Sequence, residues 1–248
     1  MTMPAPNSAE PCVPLAWDSS FFGINIARVV GDTLDAPKAA AIDAWGREHA
    51  IRCLYFQARS DDPATARCAQ QHGYELVEVR MEYEHDNMIR MMDRKVLHTG
   101  FDFRDAIPAD LPGLKSIAGA SFADSRFYVD GRFTPAKCDE FYERWVEESC
   151  RGFADRVLVA LQGVIPAGFI TLKKEDQIGR IALVGVDAKF RGRGVGQNLI
   201  RGAMEWALHE GLERLRVTTQ ARNIPSQRLY QRAGFLTHSV HLYYHKWF

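Results

Sequence analysis

Cysteine is scarce in this 248-residue chain: only Cys12, Cys53, Cys68, Cys138 and Cys150 occur. An odd number with no C-x-x-C pair gives no support to a disulfide framework or a zinc knuckle. No compact His/Asp/Cys cluster is present either, so no metal is expected. Net charge is missing as well, because 31 Lys and Arg balance 31 Asp and Glu. That argues against a nucleic-acid partner held by bulk charge. No apolar run reaches membrane-spanning length, and the opening "MTMPAPNSAEPCVPL" lacks the basic patch and apolar core of a signal peptide. The expectation is a cytoplasmic protein without a membrane partner, led by a loose Pro-rich segment.

The charge that is present is unevenly placed. Residues 1–98 hold 10 Lys and Arg against 14 Asp and Glu, and the remainder 21 against 17. The basic excess shares a half with "DAKFRGRGVGQNL" (187–199), where three glycines alternate and arginines flank the first. Hydrophobic period predicts strands at 21–30, 51–58 and 74–85 and helices at 36–49 and 62–71, followed by a connector at 86–99. In the second half it predicts strands at 101–107, 156–161, 166–174, 179–188, 215–220 and 235–247. Helices are predicted at 109–122, 135–152, 195–211 and 225–233, with 124–134 as a loop. The short separations between 156 and 188 fit antiparallel hairpins.

A shift of 161 residues lays Gly73-Tyr74 on Gly234-Phe235, Leu54 on Leu215 and Thr65 on Ser226. Nothing in residues 1–98 resembles the glycine stretch, and Ala69 stands opposite Tyr230.

The glycine stretch is neither a P-loop nor a dinucleotide fingerprint: Gly-Lys-[Ser/Thr] is absent, and Gln197 or Leu199 falls where the last glycine belongs. Its context, strand then turn then helix, suits an anion held by free backbone N–H groups. Arg191 and Arg193 add charge, and glycines clear the approach of Cβ atoms. A softened turn with solvent-facing arginines is the plainer alternative.

"VDAKFRGRGVGQNLI" resembles the R/Q-x-x-G-x-G/A segment of the GCN5-related N-acetyltransferases, through Arg191, Gly194 and Gly196. "QARNIPSQRLYQRAGF" resembles a second segment of that family, through Asn223, Tyr230, Gly234 and Phe235. The resemblance covers roughly residues 101–248. It implies an α/β fold with a mixed, mostly antiparallel sheet flanked by helices, here preceded by a degenerate copy. Residues 1–98 would then be structural and 99–248 catalytic.

The resemblance also implies acetyl-CoA as co-substrate, or a slightly longer acyl donor, and a small-molecule amine acceptor. Cofactor contacts fall on Leu183, Val184, Val186, Arg191, Gly192, Arg193, Gly194, Val195, Gly196, Asn223, Ser226 and Tyr230. Backbone groups near Leu183 to Val186 would polarise the thioester carbonyl, and Tyr230 would protonate the departing thiolate. Asn223 reads equally as a helix cap. The likeness is nearest to members that act on nucleotide-linked amino sugars. It carries through "WDSSFFGINIARV" (17–29), "ASFADSRFYVD" (120–130) and "FYERWVEESCRG" (141–152). Acceptor contacts are expected from Arg126, Tyr128, Asp130, Tyr142, Thr171 and Gln220, although for Thr171 an ordinary place in a strand is the favoured reading. A protein N-terminus, a polyamine, an antibiotic or a non-catalytic sensing role stay as alternatives. The general base and the pairing of two chains as a homodimer are not decided.

Overall fold

Acidic, amide or hydroxyl residues followed closely by proline start several helices, because the side chain takes a free N–H and proline lacks one. In the computed structural model, which describes residues 10–88 and 100–248, Asp35, Asp62, Thr134 and Asn223 all cap helices in this way. Residues 1–9 of the Pro-rich lead-in and most of the expected connector lie outside the described residues, and the end of the lead-in is not loose but forms a strand at Cys12–Pro14.

In chain order the elements begin β1 (Cys12–Pro14), α1 (Ala16–Phe22), β2 (Ile26–Val29), α2 (Ala36–Glu48), β3 (Cys53–Arg59), α3 (Pro63–Gln71) and β4 (Glu75–His85). After residue 99 come β5 (Asp102–Asp105), α4 (Leu111–Gly119), α5 (Arg126–Asp130), α6 (Pro135–Glu148), β6 (Arg156–Gln162), β7 (Ile165–Glu175) and β8 (Ile178–Val186). The last are α7 (Val195–His209), β9 (Arg214–Gln220), α8 (Ile224–Arg232) and β10 (Leu236–Trp247). A mixed, mostly antiparallel sheet flanked by helices is therefore present, as expected.

The chain divides into two compact units. The first gathers Met1–Arg80, Ser125–Phe133 and Val240–Phe248. Within it β1 pairs antiparallel with β2, β2 parallel with β3, and β3 antiparallel with the end of β10, from His241↔Arg59 to Trp247↔Cys53. Ile42, Trp45, Leu54, Phe56 and Tyr244 form the centre of its core.

The second unit gathers Met81–Asp124 and Thr134–Ser239. Here β5, β6, β7 and β8 form an antiparallel run and β8 pairs parallel with β9. Its core joins Ile170, Leu172 and Ile181 to Leu199, Ala203, Met204 and Ala207 of α7, the apolar stripe legible in that helix's sequence. A division at residue 98 puts 125–133 and 240–248 in the second half; by their contacts they group with the first unit.

Two expectations about elements change. The segment 21–30 is not one strand: Phe21 and Phe22 end α1, Gly23 turns the chain at φ 70°, and only Ile26–Val29 is extended. The segment 124–134 is not all loop. Phe127 is fully buried, and one helical turn, α5, puts it there before Gly131 ends it at φ 75°. Burying a phenylalanine is worth about 2 kcal/mol, which offsets part of the cost of ordering five residues that show no period.

The 161-residue repeat is visible in the elements themselves. Shifted by that number, Cys53–Arg59 falls on Arg214–Gln220 and Pro63–Gln71 on Ile224–Arg232, end to end. Asp62 and Asn223 both cap, and Gly73 and Gly234 both turn at positive φ.

Candidate active site

The second unit opens its own sheet. Parallel pairing of β8 with β9 runs from Ile178↔Arg214 only to Ile181↔Val217, although β8 continues to Val186 and β9 to Gln220. Past Ile181 the two strands part, so backbone groups of β8 face a gap and not a ladder partner. On the other side of β8 the pairing with β7 steps from Leu172↔Ile181 to Thr171↔Leu183, leaving Ala182 unmatched. This is a β-bulge, a device that bends and twists a strand.

The glycine turn follows at once. Gly192 and Gly194 stand at φ 74° and 82°, and a Cβ on Gly192 would meet nothing within 4 Å. At Gly196 the nearest atom to an added Cβ is Leu229 Cδ2 at 3.2 Å, so the turn lies close over α8. Helix α7 starts at Gly194 with no side-chain cap, so its first N–H groups and positive dipole end are not taken by a side chain. Arg191 Nε donates to the Val186 carbonyl at 3.1 Å. The Arg193 guanidinium lies 4.8 Å from the Phe101 ring centre. Both arginines are exposed. Uncapped N–H groups, glycines without Cβ atoms and two fixed cations fit a nucleotide diphosphate.

Helix α8 carries the residues expected to do chemistry. Asn223 caps it by accepting from the Ser226 N–H at 3.1 Å. Gln227 reaches back to the Gln220 and Ala221 carbonyls at 3.3 and 2.6 Å and accepts from the Tyr83 hydroxyl at 3.1 Å. Tyr230 is buried within the cluster against which Val184, Val186 and Leu229 pack. Burial pushes its hydroxyl well above the ordinary tyrosine range, opposed by a hydrogen bond with Ser226. At neutral pH it is a proton donor only.

The residues expected to meet the acceptor fall into two groups. In the first unit, the Arg126 guanidinium lies over the rings of Tyr55, Phe127 and Tyr243 at 4.9, 4.1 and 4.7 Å, and Tyr128 is half-buried beside it on α5. Asp130 is not turned outward. Its side chain is fully buried, bonded to His245 Nδ1 and to Trp247 Nε1, the latter at 3.0 Å. In the second unit Tyr142 is buried and stacks on Phe122 at 4.4 Å. Thr171 is fully buried, and its hydroxyl accepts from the Leu183 N–H at 3.0 Å. Gln220 is half-buried at the end of β9.

Sequence reasoning missed two features. Glu78, 1% exposed, pairs with Arg80 at 2.8 Å and accepts from the Arg126 N–H at 3.3 Å. A glutamate inside a strand of this kind is the only signal for it. His245 on β10 is wholly buried with Nε2 lacking a hydrogen-bond partner. Burial lowers its pKa to about 4 against the pull of Asp130, and the Asp130 carboxyl is held below its usual range by His245 and Trp247 despite burial. We read the pair as neutral imidazole beside carboxylate, since a charged ring would leave an Nε2–H unpaired in the interior.

Residues 123–235 match the Acetyltransferase (GNAT) family. Over 238 residues the chain is 31% identical to dTDP-fucosamine acetyltransferase of Escherichia coli O6:H1, covering 94% of this chain and 95% of that one. The chain belongs to the GNAT family. Two GNAT structures share its fold. A GCN5-related N-acetyltransferase from Sphaerobacter thermophilus aligns with a TM-score of 0.61 at 18% identity, covering 90% of this chain and 72% of that one. A tandem GNAT protein from the clavulanic acid biosynthesis pathway aligns with a TM-score of 0.59 at 14% identity, covering 90% and 75%.

As a GNAT enzyme the chain is an acetyl-CoA-dependent N-acetyltransferase. Among the described residues no helix is long and apolar enough to cross a membrane, and no group of His, Cys, Asp and Glu is placed to hold a metal.

Proposed function

We propose that this GNAT enzyme acetylates the amine of a nucleotide-linked 4-amino-deoxysugar. The observation that carries the reading is likeness along nearly the whole chain to dTDP-fucosamine acetyltransferase, 31% identical over 238 residues. Acetyl-CoA supplies an activated acetyl thioester. The uncapped start of α7, with Gly192, Gly194, Arg191 and Arg193, holds the diphosphate end, and Asn223 and Ser226 lie along the same approach. With the Leu183 N–H held by Thr171, the backbone N–H groups of Val184 and Val186, freed from β9, donate to the thioester oxygen and stabilise its developing charge. The neutral amine forms the new C–N bond as the C–S bond breaks. Tyr230 gives its proton to the sulfur, the amine's surplus proton passes to solvent, and a proton from solvent returns to Tyr230 before the next turnover.

Arg126 and Tyr128 on α5 serve the acceptor, with Arg126 offered to its phosphates. Asp130 fixes the end of α5 from behind, and Tyr142 acts through the packing of α6. A mixed loop carrying two arginines suits an anionic acceptor better than a polycation. A panel of amines tests this: the nucleotide amino sugar should be acetylated far faster than spermidine, lysine peptides or aminoglycosides. Preference for any of those refutes the acceptor assignment. Arg126→Ala should raise the KM for the acceptor roughly tenfold, with acetyl-CoA KM little changed; equal effects on both would mark a purely structural arginine.

A further inference from the structure

The bulge at Ala182 changes which side of the sheet each residue serves. Before it, odd positions face α7: Ile181 lies in the core with α7, and a Cβ on Gly179 would meet Trp206 at 3.0 Å. Beyond it, even positions do so, because Val184 and Val186 pack against that core while a Cβ on Gly185 would meet Ile117 of α4 at 3.0 Å. A one-residue offset also exchanges which residues aim their N–H and C=O groups at each neighbouring strand. The offset therefore selects the backbone groups that look into the gap between β8 and β9, because the last pair with β9, Ile181↔Val217, comes one residue before Ala182.

A bulge leaves a ladder hydrogen bond unmade, and an unpaired buried N–H is costly. Here the Leu183 N–H is satisfied by the Thr171 hydroxyl at 3.0 Å, with Leu183 3% and Thr171 0% exposed. Valine would fill a strand position equally well but could not accept this bond.

We infer that Thr171 is a positioning residue whose hydroxyl holds the Leu183 N–H, pins the Ala182 bulge and so sets the backbone of Val184 and Val186 toward the reacting thioester. This rests on the proposed role of that backbone segment, and it gives Thr171 a task other than touching the acceptor. Two variants separate shape from hydroxyl: Thr171→Val keeps the branched shape, and Thr171→Ser keeps the hydroxyl. In the unliganded enzyme, amide exchange at Leu183 should speed up at least tenfold in Thr171→Val. Its kcat should fall tenfold or more while the acetyl-CoA KM moves less than threefold. Thr171→Ser should restore both quantities to within threefold of the parent.

Wild-type kcat in Thr171→Val, or a lowered Tm with unchanged kcat, overturns the inference. Failure of Thr171→Ser to recover does so too. Should Thr171→Val not fold, Thr171→Ser against Thr171→Ala makes the same comparison, since both lack the methyl and only one has the hydroxyl. If the parent enzyme shows no acetyl-CoA binding by calorimetry, the functional reading fails. The exchange rate of Leu183 still reports separately on the bulge.

Discussion

Replacing Tyr230 by phenylalanine removes one oxygen and leaves the ring that packs in the second unit's core. Two costs can be worked out, and they differ greatly in size. The hydrogen bond with Ser226 is worth about 1 kcal/mol, and Ser226 is half-buried, so water can replace part of the loss. For a chain of this size that lowers Tm by roughly 2–4 °C. If the hydroxyl donates to the departing thiolate, its removal should lower kcat on the order of 10²- to 10⁴-fold, or about 3–5 kcal/mol in the barrier. Acetyl-CoA affinity should hardly change, because the lost interaction belongs to the transition state. The assay is thiol release at saturating substrates beside a thermal melt of the same preparation. Near-normal turnover, with or without a lowered Tm, refutes the role.

Three further outcomes follow from other parts of the structure. Gly192→Ala forces φ 74° on a residue with a Cβ, although that Cβ meets nothing; stability should fall by about 1 kcal/mol. Its acetyl-CoA Kd, read by calorimetry, should rise roughly tenfold or more, since the methyl stands in the cofactor's approach. In the same titration the parent should bind one acetyl-CoA per chain: the first unit caps α2 with Asp35, whereas α7 has no side-chain cap, and two equivalent sites would contradict this. Acid should destabilise the first unit through His245, whose pKa of about 4 lies below the ordinary 6.5. A histidine so lowered takes up more protons unfolded than folded, so stability is lost as pH falls from about 6.5 toward 4. The loss reaches about 2 kcal/mol by pH 5. His245→Gln should flatten that part of the Tm profile, and an unchanged slope would show that another group titrates there.

How far the sequence could be read depended on the physical scale of each feature. Helix α7 shows its stripe over four turns, Asn223 and Asp62 announce caps, and the short apolar runs between 156 and 186 give three strands. The glycines at 192, 194 and 196 stand out because their backbone demands are local. Helix α5 does not stand out, because five residues are too few for a 3.6-residue period and its order comes from burying Phe127. The bulge is silent for another reason. "IALVGV" (181–186) is apolar or small enough on both faces that a one-residue offset leaves no mark in its pattern. The meeting of Asp130 with His245, 115 residues apart, is a product of tertiary packing and has no local signal.

The first unit is assembled from three stretches of chain, and the last of them, Val240–Phe248, is synthesised after the whole of the second unit. Until they emerge, β3 lacks its antiparallel partner along seven consecutive pairs, and Tyr244 is missing from the core around Leu54 and Phe56. The half that is made first is thus the half that finishes last. A nascent chain must carry an open, largely apolar strand edge through the synthesis of more than 150 further residues, the situation in which strands find wrong partners. Loss of residues 240–248 would strike the packing of residues 10–80 and leave the sequence of the glycine turn untouched.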